Sequence, residues 1–558
     1  MENNVNIKFV PAYAEGNMDV IPFGSRNNIT DYNYIIPFEK ARVALVTILL
    51  VFIIINFGIS QVVQTFKGDR FTHYNIDDWI SYAPALNINA IDTDEKYVYF
   101  ATQKGGILRF DKYREEWGFP YTTSSGLGSN TVYDVIYNQY DGYVYAKTSG
   151  GIYVLRFAEN YWQKSTGTIP QKRQPKLSEI ADLRKGKDFR FPPFFRPPND
   201  FFPNLFTDRS LMYIPPDQIL DKENREYSFT DRMVDEWQRL WLGTNGFGPM
   251  MADMSTLSLY SYHQSIPNIS VRDIYLDNEN VWMGGTPKPD GISGITLWND
   301  FENTRQYFEA PFYNGINRDD VLAIDGNKGY VVFATIYGVV VYDKNKSRWK
   351  TYSQLDGLEG DRINDVLIHK NTAYIATENG LNWLDIKNRR IEGISGTQLD
   401  NVEINQLTIY KDTLYMATRL GLYGTDLKEM KVEFFASRSA IPDFNITALE
   451  ANKTELWFAN DYGVAYIDKV NNSWNSFADL SIKPQFRDIA FTDSAVWFAT
   501  SKGLMKFDRE MNNWRLFTTK DGLIDNNVYH VDPENDNLWI STDKGFTIFN
   551  YNRPGRLD

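Results

Sequence analysis

Cysteine is absent from all 558 residues of the chain. Its absence excludes disulfide bonds, a catalytic thiol, a lipid-modified cysteine and a zinc site built from thiolates. Histidine is scarce, since the chain contains only His73, His263, His369 and His530. These four are scattered and form no His-x-x-x-His pair, and no glycine-rich phosphate loop occurs. The sequence therefore predicts neither a metal ion nor a cofactor.

Positive charge is also in short supply, with 58 Lys and Arg against 71 Asp and Glu and a net charge of −13. A protein that binds nucleic acid matches the phosphates with a face of Lys and Arg. We therefore expect no nucleic-acid partner. Segments with helical periodicity are missing from Trp79 onwards, which favours an all-β fold.

Aromatic residues, in contrast, make up 15% of the chain, and many of them belong to a repeated unit. Its clearest copy, residues 496–508, has an apolar Val-Trp-Phe-Ala strand, a Thr-Ser-Lys-Gly turn and a second strand that ends at Asp508. An Asp in that position can accept hydrogen bonds from the amides of the following turn. Ten clear copies begin at Val98, Val144, Leu240, Val281, Val332, Tyr374, Leu414, Leu456, Val496 and Leu538.

The turn glycines from Gly338 to Gly545 recur every 40 to 42 residues. Each period holds four strands in the order inner strand, Trp strand, Asp-ending strand and outer strand, which is typical of a β-propeller blade. A lone strand at 78–82 is predicted to pair with the last strand, 546–550, because this removes exposed edges. We expect the ten units, with a degenerate eleventh at 211–227, to close as one large ring; two smaller rings are the alternative.

The repeat has the core aromatic-apolar-(Ala/Gly)-Thr-x-x-Gly-apolar, an Asp that closes the next strand, and later Trp and Gly-Leu pairs. In these features it resembles the two-component regulator propeller repeat of bacterial extracytoplasmic sensor proteins. The resemblance covers about residues 79–550. It implies a β-propeller fold and a sensing role outside the cytoplasm.

The N-terminal region has no propeller pattern. Residues 1–40 are expected to form a flexible tail, and residues 41–63 contain an apolar run that follows Lys40 and Arg42. This run is either a signal peptide or a membrane anchor. Both alternatives place the propeller, residues 64–558, across the membrane, because the positive end stays inside. We expect a periplasmic or cell-surface protein.

An insertion at about 163–206 interrupts the repeat, with a basic first half and a second half rich in Phe and Pro. Proline at this density prevents regular strand pairing. Aromatic side chains that prolines hold out have less freedom to lose on binding, so the insertion is predicted to dock on a partner protein or on the propeller's own mouth. A disordered spacer is the alternative. The predicted contact residues are Phe191, Phe194, Phe195, Arg196, Phe201 and Phe202.

Two classes of function fit the sequence. The first is a non-catalytic binding, sensing or scaffold module for a glycan, peptide or protein partner. The second is an exported lyase or hydrolase that uses carboxylates at the central channel. The first is favoured, because no acid–base pair stands out. The motif aromatics are predicted to pack between sheets and not to bind carbohydrate, and His530 is expected to be packed or pore-facing and not catalytic.

Overall fold

The computed structural model describes residues 61–65, 67–68, 70–156, 161–172, 194–197, 204–207, 211–262, 264–289, 292–299, 304–394, 397–435, 445–478 and 480–556. The chain divides into two compact units, Met1–Ile59 and Ser60–Asp558, and the described residues all belong to the second. The predicted tail and most of the predicted signal peptide or anchor lie outside them. Within these ranges, no helix has the length and apolar character that crossing a membrane requires.

Ten β-sheets make up almost all of the described secondary structure, as the ten repeats predict. We number the sheets 1 to 10 by the chain order of their inner strands. Single turns of 3-10 helix occur at Arg70–Thr72, Thr123–Ser125, Ala310–Phe312 and Gln354–Asp356. The predicted class, an all-β propeller fold of four-stranded blades, is confirmed.

The sheets contain the following strands. Sheets 1 and 2 consist of β3 (Ile88–Thr93), β4 (Tyr97–Thr102), β5 (Ile107–Asp111) and β6 (Glu116–Tyr121), then β7 (Val132–Asn138), β8 (Tyr143–Thr148), β9 (Gly151–Arg156) and β10 (Tyr161–Lys164). Sheet 3 consists of β11 (Leu211–Ile214), β12 (Gln218–Asp221), β13 (Glu226–Val234), β14 (Arg239–Thr244), β15 (Met250–Asp253) and β16 (Ser258–Ser261). Sheets 4 and 5 consist of β17 (Ile269–Asp277), β18 (Asn280–Pro287), β19 (Ile295–Asn299) and β20 (Thr304–Phe308), then β21 (Val321–Gly326), β22 (Tyr330–Thr335), β23 (Gly338–Asp343) and β24 (Arg348–Tyr352).

The remaining sheets follow the same order. Sheets 6 and 7 consist of β25 (Ile363–His369), β26 (Thr372–Thr377), β27 (Gly380–Asp385) and β28 (Arg390–Gly393), then β29 (Ile404–Tyr410), β30 (Thr413–Thr418), β31 (Gly421–Asp426) and β32 (Val432–Phe434). Sheet 8 consists of β33 (Ala448–Ala451), β34 (Glu455–Asn460), β35 (Gly463–Asp468) and β36 (Ser473–Phe477). Sheet 9 consists of β37 (Phe486–Phe491), β38 (Ala495–Thr500), β39 (Gly503–Asp508), β40 (Asn513–Phe517) and the parallel strand β1 (Val63–Thr65). Sheet 10 consists of β41 (Val528–Glu534), β42 (Asn537–Thr542), β43 (Gly545–Asn550) and β2 (Trp79–Tyr82).

Strand β2 supplies the fourth strand of sheet 10, with Trp79 opposite Phe549 and Tyr82 opposite Phe546. The predicted pairing of the lone strand with the last strand is therefore confirmed. The degenerate eleventh unit was predicted as a separate repeat, but it forms no sheet of its own. Its strands β11 and β12 extend sheet 3 instead. The reason is the length of β13: its first half pairs with β12 and its second half with β14.

The Thr-x-x-Gly turn is held by a hydrogen bond that recurs from sheet to sheet. The Thr500 hydroxyl donates to the carbonyl oxygen of Gly503 at 2.6 Å. Gly503 has a φ of +137°, and a Cβ atom there would lie 2.2 Å from the Phe517 carbonyl oxygen, so the position requires glycine. At the end of the next strand, Asp508 accepts hydrogen bonds from the N–H groups of Glu510 and Met511 at 3.1 and 2.9 Å, as predicted.

Contacts between inner strands divide the sheets into two groups. Strands β17, β21, β25, β29, β33, β37 and β41 contact one another in succession, and β41 also contacts β17. We call sheets 4 to 10 the seven-sheet cycle. Strand β3 contacts both β7 and β13, so sheets 1 to 3 form a three-sheet group. The sequence predicts one large ring, with two smaller rings as the alternative. The inner-strand contacts favour the alternative, because they divide the sheets into a group of seven and a group of three.

The tryptophans of the second strands fill the space between neighbouring sheets. Trp457 and Trp497 are each 1% exposed. The Trp457 ring lies 5.9 Å from that of Phe498 on the next sheet, and the Trp497 ring lies 6.4 Å from that of Phe549. These tryptophans belong to the hydrophobic core. The prediction that the motif aromatics pack between sheets is therefore confirmed.

Trp514 on the outer strand of sheet 9 offers a test of this packing. It is 1% exposed, and its ring lies 5.3 Å from Phe498 and 5.0 Å from Phe507. We expect Trp514→Ala to lower the free energy of unfolding by about 3 to 5 kcal/mol, because it leaves a cavity. Trp474, at the same position of sheet 8, is only partly buried, so Trp474→Ala should cost less. Urea denaturation measures both; equal losses would contradict the assignment.

Candidate functional site

The inner strand of each sheet has an edge that its own sheet does not pair, and its buried backbone groups still need partners. Side-chain oxygens of the neighbouring inner strand accept hydrogen bonds from these N–H groups. We call these contacts inter-sheet staples. They join Asp231 to Ile91 (2.8 Å), Asp92 to Tyr137 (2.8 Å), Asp273 to Ile324 (2.5 Å), Asp325 to Ile368 (2.6 Å), Asp365 to Leu407 (2.7 Å), Gln406 to Leu449 (2.7 Å) and Asp488 to Val531 (3.0 Å).

Donor side chains complete the staples by bonding to carbonyl groups of the next inner strand. Asn364 donates to the Ile404 carbonyl oxygen at 3.0 Å, and Asn405 donates to that of Ile446 at 2.6 Å. Asn364 and Asn405 each lie where the pairing register shifts, at a β-bulge. A bulge turns a side chain away from its own ladder, so here it directs the amide towards the neighbouring sheet.

His530 joins three sheets of the seven-sheet cycle. Its Nδ1 atom lies 2.8 Å from Asp488 Oδ2 on sheet 9 and 3.2 Å from Asp273 Oδ1 on sheet 4. Burial opposes a charged imidazole, but the two carboxylates outweigh it and raise the pKa of His530 to about 10. His530 therefore carries a proton at neutral pH. Its imidazole ring contacts carboxylates on the inner strands of sheets 4 and 9. This agrees with the prediction that His530 is packed or faces the pore.

Six carboxyl groups on the inner strands of the cycle form what we call the acidic belt: Asp273, Asp325, Asp365, Glu450, Asp488 and Asp532. Burial raises the pKa of Asp325 to about 7, that of Glu450 to about 8 and that of Asp532 to about 6. It also raises the pKa of Asp365 well above the ordinary value. Among the described residues, no group of three or more His, Asp or Glu is arranged to hold a metal ion.

The belt makes stability depend on pH. Folding raises the pKa of Asp325 from 3.8 to about 7, so its contribution is complete below pH ~4 and is lost as the pH rises to ~7. His530 loses its contribution between its ordinary pKa of 6.5 and about 10. We expect the free energy of unfolding, measured with urea, to fall from pH 5 to pH 8. The fall should be smaller in Asp325→Asn, whose amide oxygen can still accept the Ile368 N–H.

Asp508→Asn is the matched control for this experiment. Burial opposes ionisation of Asp508, but hydrogen bonds from the turn amides and from Lys506 outweigh it and lower its pKa. Asp508 is therefore ionised throughout the range, and its replacement should leave the pH slope unchanged. A wild-type slope that is flat, or that rises with pH, would contradict the assignment of the belt.

A second set of carboxylates lies on the inner strands of the three-sheet group, and cations from the insertion neutralise it. Arg196 NH1 donates to both oxygens of Asp231 at 2.7 and 2.8 Å, and its NH2 donates to the Ile91 carbonyl oxygen at 2.5 Å. Lys172 lies 2.5 Å from Asp134 and 3.6 Å from Asp231. Burial acts to raise the pKa of Asp231, but Arg196 and Lys172 outweigh it and lower that pKa.

The predicted contact residues of the insertion fall into two sets. Phe191, Phe201 and Phe202 lie outside the described residues. Phe194, Phe195 and Arg196 contact the chain's own sheets. Phe195 is 1% exposed within the core cluster of sheet 3, and backbone hydrogen bonds of 2.7 and 2.8 Å join Phe194 and Phe195 to Val234. Contact of the insertion with a partner protein stays a prediction.

Phe195→Ala tests whether this part of the insertion belongs to the core. We expect a loss of about 3 to 5 kcal/mol in the free energy of unfolding, because the buried ring leaves a cavity. Phe206, from the same segment, is 66% exposed, so Phe206→Ala is the matched control and should have little effect. Thermal and urea denaturation measure both. Wild-type stability of Phe195→Ala would contradict its place in the core.

A recess of about 450 Å³ lies where the three-sheet group meets the seven-sheet cycle, and we call it the boundary recess. Its size is within the range of small-molecule sites. Lys104 and Lys544 enter it from the same position of the Thr-x-Lys-Gly turn in sheets 1 and 10, and Lys288 enters it just after β18. Neutral polar residues complete the lining, among them Ser129, Asn130, Thr131 and Asn268.

Hydrogen bonds hold the lysines of the recess in place. Lys104 Nζ donates to Asn268 Oδ1 at 3.2 Å, and Lys288 Nζ donates to the main-chain carbonyl oxygen of Asp543. Lys544 forms an ion pair with Asp525 at 2.6 Å. Burial lowers the pKa of Lys288; the carboxylates of Asp543 and Asp525 act against this shift, and repulsion from Lys104 and Lys544 adds to it.

Sequence reasoning identified neither the staples nor the boundary recess. A signal for the recess exists in the two variable positions of the Thr-x-x-Gly turn. These are Gln103-Lys104 in sheet 1 and Asp543-Lys544 in sheet 10, but Glu378-Asn379 in sheet 6. Variation at a fixed turn position points to a surface that the fold itself does not determine.

No protein-family model matches the chain, and the comparison with curated proteins also gives no match. Among solved structures, it is similar to the extracellular domain of a one-component system from B. thetaiotaomicron, with 14% identity, 84% of this chain and 71% of the other covered, and a TM-score of 0.42. It is similar to the extracellular domain of a hybrid two-component system from the same organism, with 15% identity, coverages of 83% and 68%, and a TM-score of 0.44. A structure of YCF48 bound to D1 peptide has 14% identity, coverages of 51% and 95%, and a TM-score of 0.40. The functional proposal therefore rests on the geometry of this chain.

Proposed function

We propose that the chain is a non-catalytic binding and sensing module outside the cytoplasm, and that its ligand, a glycan, a peptide or part of a protein partner, binds at the boundary recess. One observation carries the proposal: four of the six carboxyl groups of the acidic belt, those of Asp273, Asp325, Asp365 and Asp488, are already engaged in holding the sheets together. The proposed location outside the cytoplasm rests on the apolar run within residues 41–63, which follows the positively charged Lys40 and Arg42.

The engagement of the carboxylates is complete at several positions. Asp365 accepts the Leu407 N–H through one oxygen and the Val366 N–H, at 2.8 Å, through the other. Asp273 is held in the same way by Ile324 and Ile274. A general base must reach the proton that it abstracts from a substrate. Carboxylates with both oxygens fixed by backbone amides are structural, which disfavours the lyase or hydrolase alternative.

The boundary recess is built differently from the inner strands that carry these carboxylates. Its walls come from loops and turns of both sheet groups, and loops are where binding residues concentrate on a rigid scaffold. A hydrogen bond of 2.6 Å from the Ser124 hydroxyl to the Gly522 carbonyl oxygen fixes the two groups against each other beside it. A ligand in the recess would thus contact both groups at once, which suits a sensing module.

Thr131→Trp tests the proposal, because the indole would fill the recess. Arg362→Trp, at the same position before the inner strand of sheet 6, is the matched control. In a thermal-shift panel of saccharides, peptides and metabolites, we expect a ligand that raises the melting temperature of the wild type and the control but not that of Thr131→Trp.

Mass spectrometry of the recovered ligand separates binding from catalysis. We expect the ligand to be chemically unchanged after prolonged incubation. Conversion to a product would support the enzyme alternative. Undiminished binding by a folded Thr131→Trp variant would place the site elsewhere.

A further inference from the structure

The boundary recess gathers positive charge in a protein whose net charge is −13. Lys104, Lys288 and Lys544 belong to sheets 1, 4 and 10, which are far apart in the chain and meet only in the fold. Lys288 is partly buried, whereas Lys104 and Lys544 are exposed at the rim. The repulsion that bringing three ammonium groups together creates is unfavourable unless a ligand of opposite charge offsets it.

The partners of these lysines balance only part of this charge. Lys104 and Lys288 bond to neutral oxygens, and no carboxylate of the described residues forms an ion pair with either. Some other enclosed lysines of the protein have acidic partners, whereas Lys469 donates to the Asn452 carbonyl oxygen at 2.6 Å. Lys112 lies 2.6 Å from Glu236, and Lys344 lies 2.5 Å from Asp277. Lys288 thus lacks the carboxylate ion pair that Lys112 and Lys344 have.

The nearby acidic residues are held by other groups. The Asp543 carboxylate accepts hydrogen bonds from the Ser270 hydroxyl, from Asn527 at 2.6 Å and from the Tyr529 hydroxyl at 3.0 Å. Lys288 bonds to the main-chain oxygen of Asp543 and not to this carboxylate. Asp525 pairs with Lys544, and the Asp543 carboxylate attracts Lys288 without bonding to it, so the three lysines exceed the nearby carboxylates by one charge.

Neutral donors add to the positive field. The Asn130 side-chain oxygen accepts the Thr123 N–H at 2.7 Å, which fixes the amide and leaves its Nδ2 group as a donor. Two ammonium groups with neutral partners and an amide donor are the groups that bind carboxylate, sulfate or phosphate oxygens through charge-assisted hydrogen bonds.

We propose that the boundary recess binds a small oxyanionic ligand, a molecule that presents carboxylate, sulfate or phosphate groups to Lys104 and Lys288. This inference rests on the proposed function and specifies the chemical class of its ligand. The volume of about 450 Å³ fits a small molecule and not a folded partner. Lys544, already paired with Asp525, contributes less.

Isothermal titration calorimetry with sulfate, inorganic phosphate, glucuronate and glucose tests whether the ligand is an oxyanion. It also distinguishes sulfate, phosphate and carboxylate groups from one another. We expect at least one oxyanion to bind the wild type, with an affinity that falls as the salt concentration rises, and glucose not to bind. Lys104→Gln/Lys288→Gln should weaken binding roughly tenfold or more, because it removes two charge-assisted hydrogen bonds. Lys502→Gln, in the equivalent turn of sheet 9, is the matched control and should bind as the wild type does.

Several results would overturn the proposal. They are the binding of no oxyanion by the wild type, equal binding by a folded Lys104→Gln/Lys288→Gln variant, or equal binding of glucose. If the double variant does not fold, Lys104→Gln alone, an exposed position, gives the same test with a smaller expected loss. A neutral ligand that binds the wild type but not Thr131→Trp would overturn the oxyanion class and leave the proposed function intact.

Discussion

An unpaired edge on every inner strand is the constraint on which this structure depends. A buried N–H or C=O group without a partner is costly, and the edge presents a row of them to the neighbouring sheet. The staples satisfy both kinds of group, with carboxylates such as Asp365 as acceptors and amides such as Asn364 as donors. The donors Asn364 and Asn405 lie at bulges that aim their side chains towards the neighbouring sheet. The packing of one sheet on the next is thus specified by hydrogen bonds as well as by apolar contact.

This solution concentrates acidic groups where water is scarce. Burial raises the pKa values of Asp325 and Glu450, and the protonated His530 offsets part of the remaining negative charge between Asp273 and Asp488. Asp273, Asp325, Asp365 and Asp488 thus help to hold the fold, which agrees with the proposed non-catalytic function. Chemistry directed at a ligand is left to the turns at the sheet ends, where the repeat does not dictate the residues.

What could be predicted from the sequence follows from the range of each interaction. The ten sheets, their strand order and the pairing of Trp79 with Phe549 follow from local patterns repeated along the chain. The grouping into seven and three depends on which inner strands meet, and the repeats are too alike to reveal this. The boundary recess needs Lys104, Lys288 and Lys544 from three distant sheets, so no local motif marks it. The two extra strands of sheet 3 were misread because β13 pairs on both sides.

Two cations of the insertion, Lys172 from its basic half and Arg196 from its half rich in Phe and Pro, have a role within the fold. In the seven-sheet cycle, neighbouring inner strands and His530 surround the carboxylates. In the three-sheet group, Lys172 and Arg196 reach the carboxylates of Asp134 and Asp231 from outside the sheets. The positive charges of Lys172 and Arg196 in an acidic protein are therefore explained by contacts within the chain.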